Sequence, residues 1–160
     1  MRRLVVLLAF LSLPAAADCI NDSQIFSCQV GAKTLEICHW KGDLIYTFGP
    51  DAKPDLTIAE PLETAQFTPW PGVGSAIWEM IAFTNDGHTY EVYTSVERDP
   101  GADQTLQGGV SVVKDDTQVA ELACDPGTAS NSLDVIWDLK ESIGQCWDFE
   151  TISWQATCSN

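Results

Sequence analysis

The segment from Ile77 to Glu97 constrains the fold more than any other stretch, because it has the pattern of a single β-hairpin. Asp86-Gly87 is a preferred pair for the centre of a type I′ turn, where both central residues adopt positive φ. A one-residue shift would exchange the two faces, so the alternation itself sets the register. With this pair at the tip, one face is apolar and is expected to point into the core: Ile77, Ile81, Phe83, Tyr90, Val92 and Val96.

The opposite face of this hairpin is mixed in character, and it carries Trp78, Met80, Ala82, Glu91, Tyr93 and Ser95. Glu79 is an exception to the pattern, because the register puts this acid on the core face opposite Thr94. Two interpretations remain open for it. Glu79 is either a working acid with a raised pKa, or a residue near the strand end that reaches solvent.

Short β-prone runs separated by turn residues lie on both sides of the hairpin. Those before it are residues 24–30, 34–40, 44–48, 55–60 and 63–68, and those after it are 110–113 and 118–123. From Ser132 the apolar residues follow helical spacing, and Gly144 can end the helix. Residues 147–157 are expected to return to the sheet. We therefore predict a mainly β fold: an antiparallel barrel or sandwich of about eight or nine strands with one C-terminal amphipathic helix.

The first 17 residues have the three parts of a secretory signal peptide. Arg2 and Arg3 form the basic start, residues 4–13 the apolar run and residues 15–17 a small-residue cleavage site. The apolar run is too short to span a bilayer, so we expect no membrane anchor. Asp18 before Cys19 disfavours lipidation. The sequence predicts a single β-rich domain at residues 18–160, located in the bacterial periplasm or outside the cell.

Six cysteines lie after the cleavage site, which predicts three disulfides in an exported protein. We expect the pairs Cys28–Cys38, Cys124–Cys146 and Cys19–Cys158. The first pair requires a hairpin turn about Lys33, since a tighter turn at Gly31-Ala32 would put the two cysteines on opposite faces. There is no CxxC pair, which argues against zinc-ribbon and thioredoxin-like sites.

The chain is strongly acidic, with a formal net charge of −15. Without Arg2 and Arg3, six Lys and Arg remain against 23 Asp and Glu, which gives −17. This charge argues against nucleic acid and anionic lipid, because both require positive charge on the protein. It permits a basic partner or a cation, although solubility alone also explains it.

No motif for a nucleophile, a metal site or a dinucleotide is present, and we expect no cofactor and no metal. A hydrolase with a carboxylate pair stays open, because such a pair needs no motif. The chain has six tryptophans, and Trp70 lies between two prolines in a Gly-rich loop. An exposed Trp70 with nearby acids would suit a glycan-binding module, whereas a Trp70 that folds back would close one end of the fold.

The pattern Phe26-x-Cys28-x-x-Gly31, followed by Leu35 and later by Trp and Tyr in hairpins, resembles the periplasmic inhibitors of c-type lysozyme. Those proteins are small exported antiparallel β-barrels that block a basic bacteriolytic enzyme. The resemblance covers a short part of the chain, and no inhibitory residue is carried over. It implies an exported β-domain with a basic protein partner.

These observations predict an exported, non-catalytic acidic domain that binds a basic protein. The alternative is a glycan-binding module, and a hydrolase is the third class. The candidate binding residues are Trp70, Trp78, Tyr93 and Glu79.

Overall fold

The structure is a computed structural model that describes residues 19, 23–130 and 133–158. The predicted signal peptide, the cleavage after Ala17 and the start of the helix at Ser132 lie outside these residues. Within them the chain is mainly β, with antiparallel strands, one α-helix and three disulfides. Three disulfides are typical of proteins from an oxidising compartment outside the cytoplasm.

Two large antiparallel sheets make up most of the fold. The first has four strands in sequence order: β1 (Gln24–Val30), β2 (Lys33–Trp40), β3 (Asp43–Gly49) and β4 (Leu56–Pro61). The second has five: β5 (Gln66–Thr68), β6 (Ala76–Asn85), β7 (His88–Glu97), β8 (Gln107–Lys114) and β9 (Thr117–Ala123). The strand positions agree closely with the β-prone runs, because each run is bounded by turn residues.

The C-terminal part corrects the predicted strand count and topology. After the helix α1 (Val135–Ser142), β10 (Cys146–Asp148) and β11 (Ser153–Gln155) form a separate two-stranded sheet. Residues 19, 23–130 and 133–158 thus contain eleven strands instead of the predicted eight or nine. Residues 147–157 do not rejoin a large sheet, and the three sheets do not close into a barrel.

Helix α1 ends in a Schellman motif, as Gly144 led us to expect. Gly144 has a φ of 85°, and its N–H donates to the carbonyl of Glu141. The N–H of Gln145 donates to the carbonyl of Lys140, which completes the motif. With eight residues α1 is too short to cross a bilayer, and the described chain contains no helix long and apolar enough to do so.

The central hairpin β6–β7 has the predicted register. Asp86 and Gly87 have φ values of 48° and 71°, as a type I′ turn requires. Phe83 pairs with Tyr90, and the pairing continues in the same register to Ala76 and Glu97. On the predicted core face Ile81, Phe83 and Val92 are fully buried, Tyr90 and Val96 are partly buried, and Ile77 at its end is 40% exposed. The hairpin extends there beyond the short strand β5, so Ile77 has no pairing partner in β5.

The two large sheets share one hydrophobic core. Tyr46 of β3 contacts Phe83 and Tyr90 of the central hairpin, with ring centroids 5.4 and 5.7 Å apart. Phe26 of β1 packs on Gly108 of β8, where a Cβ on the glycine would lie 2.8 Å from the Phe26 ring. Gly108 is therefore needed for the approach of β1 to the five-stranded sheet.

All six cysteines form disulfides, but the predicted pairing was wrong. The bonds join Cys19 to Cys38, Cys28 to Cys124 and Cys146 to Cys158. The reason lies in the first hairpin, whose turn is the tighter Gly31-Ala32 pair. Cys28 is then opposite Leu35 instead of Cys38, and the two cysteines lie on opposite faces of the sheet.

Candidate functional site

The C-terminal hairpin β10–β11 is a small, closed unit that follows directly after α1. Cys146 pairs with Gln155 and Trp147 with Trp154 across its two strands. A disulfide from Cys146 to Cys158, with Cα atoms 5.4 Å apart, closes the unit behind the strands. A bond across a short loop restricts the conformations of everything inside it, so the hairpin is presented as one body.

The tip of this hairpin exposes two large apolar side chains. Phe149 is 60% exposed and Ile152 is 58% exposed. Ile152 also has a φ of 53°, and a β-branched residue in this left-handed region is strained by about 1–2 kcal/mol. Exposed apolar area and local strain coincide at the same four-residue tip, and such strain is concentrated at functional sites.

Asp148 organises the backbone of the tip. Its Oδ1 accepts hydrogen bonds from the N–H groups of Glu150 and Thr151, at 2.8 and 3.2 Å. These bonds hold the pKa of the Asp148 carboxyl below its usual range, because they favour the charged form. The tip therefore carries a carboxylate beside its apolar side chains at neutral pH, and the side chain of Glu150 adds a second acid.

An aromatic cluster packs the hairpin β10–β11 against α1. Trp154 meets Trp137 of α1 and Trp147 of β10 edge to face, with centroids 5.2 and 5.6 Å apart. Its indole N–H donates to the carbonyl of Phe67 at 2.8 Å, which satisfies a backbone group on the edge strand β5. Phe149 lies 6.4 Å from Trp137, so the exposed ring is anchored on its inner side.

This arrangement suits the recognition of a protein better than it suits catalysis. Exposed apolar side chains on a preorganised tip can anchor an interface, because little entropy is lost when they are buried. The flanking carboxylates of Asp148 and Glu150 would favour a partner surface of positive charge.

The predicted binding residues Trp78 and Tyr93 lie elsewhere, on the outer face of the five-stranded sheet. Trp78 pairs with Ser95 and Tyr93 with Met80, so Trp78 and Tyr93 are diagonal neighbours. They alternate along their strands with the buried residues Ile81 and Val92. The structure thus brings two of the four predicted residues together, each partly exposed.

Trp70 is partly buried and held in its loop. Its indole N–H donates to the carbonyl of Val73 at 2.8 Å, and the guanidinium of Arg98 covers its ring at 4.9 Å. Arg98 in turn donates to the carbonyl of Gly74 at 2.8 Å. One ring face is therefore occupied within the protein, which leaves Trp70 less available for a ligand than its loop sequence indicates.

Glu79 is on the core face opposite Thr94, as the register predicts. Burial raises the pKa of its carboxyl to about 7, with a further contribution from the nearby charge of Asp134 and an opposing hydrogen bond from the backbone of Leu133. Glu79 thus faces the start of the helical segment, away from Trp78 and Tyr93. The four predicted residues do not form one surface.

Lys140 is a buried cation that the sequence did not reveal. It is only 1% exposed, and its Nζ donates to the carbonyl of Leu62 and to Oε1 of Gln145, both at 3.0 Å. Its Nζ also lies 5.3 Å from the centre of the Trp154 ring. Burial lowers the pKa of Lys140 to about 8. Its position four residues after the buried Ile136 was the available signal, because residues i and i+4 share a helix face.

One group in the described chain has the spacing of metal ligands: Cys19, Glu36 and Cys38. The two sulfurs are bonded to each other, so they offer no thiolate to an ion. The short distances within this group therefore reflect the disulfide between Cys19 and Cys38.

Neither the sequence nor the structure matched a known protein family, a curated protein or a solved structure. The sequence signal for the C-terminal hairpin was the cysteine spacing around an aromatic-rich segment. The alternation of residues 147–157 predicts a strand of the main sheet, whereas the segment forms its own hairpin with a local disulfide.

Proposed function

We propose that the protein is an exported, non-catalytic acidic domain that binds a basic protein, with the tip of the C-terminal hairpin as the anchor. The observation that carries this proposal is the pair Phe149 and Ile152, both more than half exposed on a hairpin closed by a disulfide. The net charge of −15 supports the positive sign of the partner.

Charge and anchor have different roles in this proposal. A large negative charge speeds the encounter with a basic protein, but exposed charges separated by more than a Debye length are screened by salt. Affinity then depends on the burial of a few apolar side chains in a pocket of the partner. Phe149 and Ile152 are suited to this role because the disulfide and Asp148 already hold the tip in one conformation.

The scaffold supports the proposal in a second way. The contacts of Tyr46 with Phe83 and Tyr90 support a sandwich of the two large sheets. A rigid sandwich would present the hairpin without the cost of ordering it on binding. Export is supported by the three disulfides together with the predicted signal peptide at residues 1–17.

The experiment is a binding assay of the mature protein against basic envelope and secreted proteins, with c-type lysozyme as the first target. Dissociation constants are measured at low and at moderate salt for the wild type, Phe149→Ala and Ile152→Ala. The matched control is Val119→Ala, since Val119 of β9 is an apolar side chain with a similar exposure of 55%. Trp70→Ala tests the anchor that the sequence alone favours.

We expect binding that survives moderate salt and weakens about tenfold or more in Phe149→Ala, as loss of a hot-spot side chain costs at least about 1–2 kcal/mol. Val119→Ala should bind like the wild type. Binding that disappears with salt and ignores both tip variants would be charge attraction alone, and the proposal would be wrong. Loss of binding in Trp70→Ala only would move the anchor to the loop of Trp70.

A further inference from the structure

A second surface, independent of the C-terminal hairpin, lies on the outer face of the five-stranded sheet. The pairing of strands β5 to β9 arranges this face in rows that cross the strands. One row contains Thr68, Met80, Tyr93, Gly109 and Ala123. The rows beside it contain Trp78, Ser95 and Gln107 on one side, and Gln66, Ala82, Glu91, Ser111 and Glu121 on the other.

Tyr93 lies across the neighbouring strand because residue 109 is glycine. A Cβ at Gly109 would stand 2.7 Å from the Tyr93 hydroxyl and 2.9 Å from the ring carbon that bears it. Because Gly109 has no Cβ, the Tyr93 ring can pack directly on the backbone of β8. Trp78 and Tyr93 are diagonal neighbours on paired strands. The Cα atoms of such neighbours are about 7–8 Å apart. Trp78, Met80 and Tyr93 thus share one patch of the outer face, which we call the aromatic platform.

Polar groups surround this platform. Ser95 and Gln107 lie in the row of Trp78, and Glu91 and Glu121 lie in the row beyond Tyr93. The carboxylate of Glu121 is close enough to Tyr93 to contribute to the raised pKa of its phenol, after the larger effect of burial.

A cleft of about 310 Å³ adjoins the Tyr93 end of the platform. Its lining includes Asp103, Thr105 and Asp125. Asp125 accepts a hydrogen bond from the N–H of Gly31 at 3.1 Å, and Asp103 accepts one from the N–H of Thr105 at 2.9 Å. Each of these acids is thereby fixed in position, and a carboxylate has further lone pairs for a ligand.

We propose that this outer face binds a cationic glycan, a chain of sugars that carry free amino groups. An aromatic ring that lies over a sheet, as Tyr93 does over Gly109, offers its electron-rich face to the C–H groups of a sugar ring. Carboxylates and amides beside them accept and donate hydrogen bonds to hydroxyl groups.

The charge of the face determines which sugars fit. Glu91 and Glu121 flank the platform, and Asp103 and Asp125 line the adjoining cleft. These acids repel uronic acids and attract ammonium groups, which also interact favourably with the faces of Trp and Tyr rings. A chain of glucosamine units has the ring shape and the charge that this surface requires.

The test is a calorimetric titration of the mature protein, which gives the dissociation constant of each ligand. The ligands are three oligosaccharides of equal length: a glucosamine hexamer, its N-acetylated form and an oligogalacturonate. The variants are Trp78→Ala and Ser95→Lys, the second of which puts a positive charge into the platform without removing an aromatic ring. Trp40→Ala is the matched control, because Trp40 is a more exposed tryptophan on the four-stranded sheet. Melting curves show that each variant is folded.

We expect the glucosamine chain to bind, the N-acetylated chain to bind more weakly and the galacturonate not to bind. Trp78→Ala and Ser95→Lys should each weaken binding about fivefold or more, within the range of one aromatic contact or one close charge pair, while Trp40→Ala leaves it unchanged. Polylysine of the same charge serves as a control for general attraction to an acidic protein.

Three results would overturn the proposal. The first is equal binding of galacturonate, and the second is wild-type affinity in both Trp78→Ala and Ser95→Lys. The third is binding of polylysine with the same affinity and the same response to both variants. Phe149→Ala should not affect glycan binding, so this test is separate from that of the protein partner.

Discussion

Lys140 offers a sharp test of the interior, because its ammonium group is buried among neutral oxygens and an aromatic ring. Burial lowers its pKa from 10.5 to about 8. The folded protein therefore binds fewer protons at this residue than the unfolded chain does between these two values. Unfolding free energy rises with pH wherever the unfolded state binds more protons, so this residue makes the protein more stable as pH rises through this range.

The magnitude follows from the size of the shift. One pKa unit corresponds to about 1.4 kcal/mol, so the full penalty of the buried charge is about 3 kcal/mol below pH 8. About 2 kcal/mol of that penalty should be removed between pH 7.5 and 9.5. The measurement should stop there, because burial also raises the pKa of Tyr46, and ionisation of tyrosines in the unfolded chain opposes the trend above about pH 10.

The assay is urea unfolding at pH 7.5, 8.5 and 9.5 for the wild type, Lys140→Met and the exposed control Lys114→Met. Methionine keeps the length of the side chain but cannot titrate. It leaves the carbonyl of Leu62 and Oε1 of Gln145 without their donor, so the absolute stability of the variant changes as well. The diagnostic quantity is the slope with pH.

The wild type and Lys114→Met should gain about 2 kcal/mol over this interval, and Lys140→Met should gain almost nothing. An equal gain in Lys140→Met would refute the reasoning, because the titrating group would then be another residue. A flat profile in the wild type would show that the ammonium is solvated in the folded protein.

Two further predictions concern the central hairpin and its neighbours. Burial raises the pKa of Glu79 from 4.5 to about 7, so its stabilising contribution is complete below pH 4.5 and is lost as pH rises through 7. The wild type should lose about 1–2 kcal/mol more than Glu79→Gln in urea unfolding between pH 5 and 7.5, a figure reduced for partial exposure, and parallel profiles would contradict this. Gly108→Ala should destabilise by about 1–3 kcal/mol because its Cβ would lie 2.8 Å from the Phe26 ring, while Gly101→Ala, whose Cβ meets only the Asp99 side chain at 3.3 Å, should be nearly neutral in thermal melts.

Elements whose information is local could be predicted from the sequence. The register of β6–β7 follows from one Asp-Gly turn and the alternation on either side of it, both within 21 consecutive residues from Ile77 to Glu97. The end of α1 at Gly144 is equally local, since the Schellman bonds join residues three and five apart. The position of Trp78 and Tyr93 on one face followed from the same alternation.

The contacts between distant segments could not be predicted in this way. Cys28 bonds to Cys124, 96 residues away, and nothing in the sequence near either cysteine specifies such a partner. The exposure of Phe149 depends on the separation of β10–β11 from the large sheets, which local alternation does not report. The burial of Lys140 depends on Leu62, Gln145 and Trp154, none of which lies in α1, and Leu62 is 78 residues away in the sequence. Turn and strand patterns are set by neighbours along the chain, whereas disulfide partners and burial are set by packing between elements.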